Sequence, residues 1–231
     1  MDPLRRALRV LLRPREGFRE ASGEAPALGP SFRRMLGWWL PAAYVHGGLL
    51  AWSTLRAYRA LREGQLPAWT GALAPAGLDP GLLRDLVRHL PPPPSLPPLA
   101  LGLLILVPVG VAGTWLHHAV WDHTCLWMLG GLKARRGFRT TLVAEAQALR
   151  VAALGTWIAL LGFLPARGPL LAAPLALLEV YLWLFRGFSL AAFHGCPTWK
   201  GVAATVLHAT LVAGCLVGLL ATLALATGIR P

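Results

Sequence analysis

Charge is scarce in this chain, and negative charge scarcer still. Charged residues make up 14% of 231 positions, with 10 Asp and Glu against 22 Lys and Arg. Soluble globular chains carry roughly a quarter charged residues, so a water-facing shell is not what this composition builds. Cysteine is equally sparse. Cys125, Cys196 and Cys215 are too few and too widely spaced for a disulfide framework or a zinc knuckle, and each falls in or beside an apolar segment, as a small buried hydrophobe would. There is no internal repeat, no Gly-x-Ser-x-Gly, no Ser-His-Asp set and no phosphate-cradling glycine loop, so nucleophilic catalysis has no carrier. The first 34 residues lack an apolar stretch long enough for a cleavable signal peptide, and the first membrane helix is expected to act as its own insertion signal.

What is abundant is apolar sequence. Hydrophobic residues reach 55% and the mean hydropathy is +0.55. The run from Leu99 to Leu116 is broken only by Pro108 and a few glycines. It meets the length of about 18 residues that a helix needs to cross the hydrocarbon core. Four further runs give an all-α expectation: a polytopic membrane protein with a five-transmembrane-helix bundle. Its spans are 35–55, 99–121, 142–164, 170–193 and 201–226, forming a membrane domain over 35–231. Ahead of it, residues 1–34 form a basic amphipathic segment. Leu4, Leu8, Leu11 and Leu12 recur at helical spacing with Arg5, Arg9 and Arg13 on another face, the pattern of a helix lying in the interface, ended by Pro14. A solvated basic tail is the plainer alternative. Between the first two spans, Leu82, Leu83, Leu86 and Leu90 suggest a second amphipathic piece. The proline run Pro91 to Pro98 is expected to be a stiff extended spacer.

The formal net charge of +12 raises nucleic acid as a partner. The arginines flank apolar runs, which excludes that reading and favours anionic headgroups, worth on the order of 1 kcal/mol per basic side chain near the surface. With the N-terminus inside, the interior segments hold fourteen Lys and Arg, Arg186 and Lys200 counted together as the last interior loop, and the exterior ones seven; Arg150 is left out as intramembrane or interfacial. The positive-inside rule then places the N-terminus in the cytoplasm of a multi-pass protein of the inner membrane.

Two polar clusters interrupt the apolar spans. At about 100° per residue, His118, Asp122 and Cys125 share a helix face, while His117 lies to one side and His123 points away. Imidazole, carboxylate and thiol are zinc ligands. Cys125 stands two turns from His118, however, and no HExxH-like pattern accompanies them. The competing reading is a His118–Asp122 pair at headgroup level, and no cofactor is implied. Glu179 sits inside the fourth span, with Arg150, His46 and His208 as candidate partners. An intramembrane carboxylate marks either a proton or ion path or an interhelical tie.

Three ordered stretches resemble the Yip-one domain family (Ypt/Rab-interacting proteins and their bacterial relatives). The first is Leu11-Leu12-Arg13-Pro14-Arg15-Glu16-Gly17-Phe18, leucines then Pro14 and Phe18 ahead of the first span. The second is His123, then Gly130-Gly131, then Phe138-Arg139-Thr140-Thr141. The third is His194-Gly195-Cys196-Pro197-Thr198-Trp199-Lys200, feeding an Ala-rich helix start. The family often has an aromatic and then a proline early in the third span, where this chain has Gln147 and Val151. The resemblance implies a non-enzymatic integral membrane protein with a membrane-organising or scaffolding role. The family's small-GTPase partner is not carried over; the partners expected are the bilayer with its anionic headgroups, a protein at the cytoplasmic N-terminus and a second copy of the chain. The alternative is a small-solute or ion transporter built on Glu179, Arg150 and His208.

Overall fold

The computed structural model describes residues 3–63, 89, 91–132, 137–160 and 169–226. Among the described residues there are seven helices: α1 (Pro3–Leu12), α2 (Pro14–Gly23), α3 (Leu28–Arg62), α4 (Leu96–Met128), α5 (Phe138–Ala159), α6 (Pro169–His194) and α7 (Thr198–Ala226). Pro14 ends α1 by opening α2, in the first turn where a missing N–H leaves no bond unmade. The same rule corrects the proline spacer. Residues 91–95 have no regular structure, but Pro97 and Pro98 fit the first turn of α4, which starts at Leu96. Leu82, Leu83, Leu86 and Leu90 of the expected amphipathic piece lie outside the described residues.

Three helices are long and apolar enough to cross a membrane, among the described residues: α4, with a window of mean hydropathy 2.2, α6 from Ala173, with 1.5, and α7 to Leu223, with 2.1. Three of the five expected spans are thus met among the described residues; α3 and the described part of α5 fall below that apolarity, and residues 161–164 of the third expected span lie outside the described residues. For α5 the cause is position. Val143 through Leu149 are all buried, with Glu145 and Gln147 among them, so α5 is walled by protein and has little surface to offer lipid. In α3 the arginines Arg33, Arg34, Arg56, Arg59 and Arg62 flank residues 35–55, which hold no charge; Pro41, Tyr44, His46 and three tryptophans lower the hydropathy there.

The chain forms two units, Ala43–Val109 and the remainder, dividing within α3 and α4 beside Pro41 and Pro108. Each proline removes a backbone N–H from its helix's hydrogen-bond ladder. In the smaller unit the Tyr44 hydroxyl donates to the Leu104 carbonyl at 3.1 Å, and Tyr58 donates to the Pro91 carbonyl.

The larger unit is centred on α5. Val143, Ala144, Ala148 and Val151 meet Phe185, Leu190 and Phe193 of α6, and Val10 and Phe18 of α1 and α2 close the cluster. Phe18 is 1% exposed and meets Phe185 edge to face, with ring centroids 4.8 Å apart. The Tyr181 hydroxyl donates to the Leu11 carbonyl at 2.5 Å. From Pro3 onward the segment ahead of residue 35 is therefore no appended tail, because α1, α2 and the first turns of α3 belong to the packed unit. Their outer surface carries the apolar Leu8 and Leu12 beside exposed Arg9, Arg13, Arg15 and Arg19.

α6 and α7 touch through glycines. A Cβ on Gly187 would lie 2.5 Å from Val202 Cα, and one on Gly201 would collide with the Gly187 carbonyl. Small residues at such a crossing let two apolar helices approach at backbone distance. α4 ends on Gly130 at φ 59° and α6 on Gly195 at φ 64°. Gly131 N–H reaches Leu126 O at 2.8 Å and Cys196 N–H reaches Ala191 O at 3.1 Å, the six-to-one bond that satisfies a helix's last carbonyls.

Candidate functional site

A charged network crosses the larger unit where four helices meet. Arg186 of α6 donates from Nε to Glu145 Oε2 of α5 at 3.0 Å, and its Nη2 donates to Asp122 Oδ2 of α4. Asp122 Oδ1 accepts from His208 Nδ1 of α7 at 2.7 Å. Arg186, Asp122, Glu145 and His208 are each 2% exposed or less. They stand between six and ten residues from the helix ends that face residues 129–137 and 195–197. At 1.5 Å per residue that is roughly 9–15 Å along each helix, so the four side chains share one level. The guanidinium also lies 5.7 Å from the Trp183 ring centre, a cation–π contact.

Arginine suits this position. Its planar fork presents donors to two carboxylates at once and holds its charge under desolvation. Removing charges from water is expensive, and such a group persists where its partners are fixed. Here α4, α5 and α6 each contribute one member and α7 contributes the histidine behind Asp122.

At the far side of Asp122 three imidazoles gather. His208 Nε2 lies 3.3 Å from His117 Nε2, and one nitrogen from each of His117, His118 and His208 lies within 4.8 Å of the others. Trp121 stacks on the His208 ring with an interplanar angle of 11°. His117 is exposed, His118 half-buried and His208 buried. Among the described residues, these three are the ones that geometry offers to a metal.

A second polar chain runs nearer the same helix ends. His123 Nδ1 lies 2.7 Å from Thr141 Oγ1, which lies 2.9 Å from His194 Nε2. Lys200 Nζ donates to the Gly130 carbonyl at 2.8 Å, placing a cation on the C-terminal end of α4. Of the residues carrying the Yip-one resemblance, His123, His194, Gly130, Gly131, Gly195 and Lys200 thus gather at one end, while Phe18 fills the core beside it.

Other expectations need correction. His118, Asp122 and Cys125 do not converge on one ion. Asp122 is engaged by Arg186 and His208, and Cys125 packs with Leu126 and Ala204. His117, set aside on helical angle, reaches His208 because α7 approaches from that side. Asp122 takes Arg186 and His208 as partners, not His118. Glu179, Arg150 and His208 form no common site. Glu179 is exposed on α6, Arg150 lines a 110 Å³ cavity with Arg9 and Arg34, His46 belongs to the smaller unit, and His208 sits in the network. The residue that sequence reasoning missed is Arg186, counted there as a loop charge. The signal was present: an arginine within an apolar helix, with Glu145 inside the preceding one.

Comparison with protein-family models, with curated proteins and with solved structures finds no match to this chain.

Proposed function

We propose that this chain is a non-enzymatic, membrane-organising protein of the Yip-one type. Five helices, α3 to α7, cross the inner membrane with the N-terminus cytoplasmic, and α1 and α2 form a fixed basic platform against the anionic headgroups. Three apolar helices support membrane insertion. Beyond the packed level, Leu177 and Val180 of α6 and Leu216, Val217, Leu219, Leu220 and Leu223 of α7 are exposed, as lipid-facing side chains are.

The observation that carries the platform is Phe18 sealed against Phe185. It holds α2 beside the C-terminal end of α6, with Arg15 over the Phe188 ring at 6.0 Å and a 280 Å³ groove lined by Arg15, Arg19, Gly195 and Thr198. The basic face is thereby fixed at the end where an interior headgroup layer would lie. Leu8 and Leu12 add apolar anchors next to it.

The test uses the full chain reconstituted in vesicles containing spin-labelled phosphatidylglycerol. Native protein immobilises more of this lipid than of labelled phosphatidylcholine. The R13E/R15E/R19E variant loses that preference at low salt. Equal immobilisation of the two lipids by the native protein would overturn the platform reading.

A further inference from the structure

We propose that His117, His118 and His208 form a three-imidazole site for a divalent transition cation of the zinc class. The argument starts from ring geometry. With a metal–nitrogen bond of about 2.0–2.1 Å and tetrahedral angles, two ligating nitrogens stand about 3.3 Å apart. The His117 and His208 Nε2 atoms are 3.3 Å apart. Extending each bond back through its ring places neighbouring ring centres about 5.3 Å apart in the same geometry. The three centroid distances are 5.2 Å for His117–His208, 5.5 Å for His118–His208 and 5.6 Å for His117–His118. The ring centres form a near-equilateral triangle of that size, and with the three nitrogens within 4.8 Å of one another a small side-chain rotation brings the third onto the ion.

The surroundings fit the same purpose. His208 Nδ1 faces the Asp122 carboxylate at 2.7 Å, so the ring carries its proton there and turns the Nε2 lone pair toward His117. Asp122 is itself held by Arg186, which fixes the imidazole's orientation. His118 Nδ1 is buried and has no hydrogen-bond partner among the described residues. The rings of Trp121 and Trp183, at 5.9 and 6.1 Å from His208, wall the cluster with apolar surface. Neutral imidazole without thiolate suits zinc, cobalt, nickel or copper(II) and disfavours copper(I). Three protein ligands leave a fourth position on the exposed His117 side for water or a small anion.

The experiment is equilibrium binding of Zn²⁺ and Co²⁺ to untagged, detergent-solubilised full-length protein pretreated with chelator. The site predicts one Zn²⁺ per chain, intense visible absorption of the Co²⁺ form as expected for tetrahedral nitrogen ligation, and a metal-dependent rise in unfolding temperature, since the ion links α4 to α7. Because His117 is exposed, His117→Ala leaves the metal-free unfolding temperature unchanged while lowering Zn²⁺ affinity at least tenfold. His118→Ala lowers Zn²⁺ affinity to a similar extent, and Asp122→Asn lowers it about 10- to 100-fold through His208. No stoichiometric binding by the native chain, or equal binding by the native and H117A/H118A proteins, would overturn the site.

Discussion

Arg186 and Glu145 join α6 to α5 through a 3.0 Å hydrogen bond, inside a unit where both side chains are 2% exposed or less. The same guanidinium serves Asp122, so one arginine is the common partner of carboxylates from two helices.

Arg186→Met leaves both carboxylates buried without their counterion. It should destabilise the protein by about 3–5 kcal/mol, the usual result of breaking a buried pair from one side. The R186M/E145Q/D122N combination, which removes the charges together, should recover most of that loss. Unfolding of detergent-solubilised protein by sodium dodecyl sulfate titration measures both.

Phe18 and Leu12 should behave oppositely although both lie in the N-terminal helices. Phe18→Ala opens a cavity against Phe185 and should cost about 3–5 kcal/mol in the same titration. Leu12 is 78% exposed, and Leu12→Ala should leave the midpoint unchanged.

At the α6–α7 crossing, Gly187→Leu should separate the helices and lower the unfolding temperature by many degrees, because backbone of α7 occupies the space that a side chain would need. Gly214→Ala is the control. A Cβ there meets nothing within 4 Å, and better helix propensity should leave stability equal or higher by a few tenths of a kcal/mol up to about 1. Thermal unfolding monitored by tryptophan fluorescence, with both variants in one detergent, measures this pair.

Much of the architecture could be read from the chain. The apolar runs locate α4, α6 and α7, and the leucine spacing and Pro14 locate the boundary between α1 and α2. What could not be read is which charges face inward. Glu179 and Arg186 are seven residues apart, nominally on one face of α6, and periodicity treats them alike. They differ because α5 and α7 pack closely along residues 185–194 while residues 173–180 are mostly exposed. α5 was harder for the reverse reason: a helix enclosed by others can carry Thr141, Glu145 and Gln147 inward, so its composition understates how deeply it is buried. The three-histidine cluster joins residues about ninety positions apart, and no spacing rule within one helix could reveal it.

Side-specific labelling of a single cysteine tests the membrane account most directly. In a background with Cys125→Ala, Cys196→Ser and Cys215→Ala, the exposed Arg19 is replaced by cysteine and the full chain is produced in bacterial cells. A membrane-impermeant maleimide should leave residue 19 unlabelled in intact cells and label it fully after permeabilisation, with the protein in the membrane fraction. Labelling of residue 19 in intact cells, or recovery of the chain in the soluble fraction without detergent, would contradict the account.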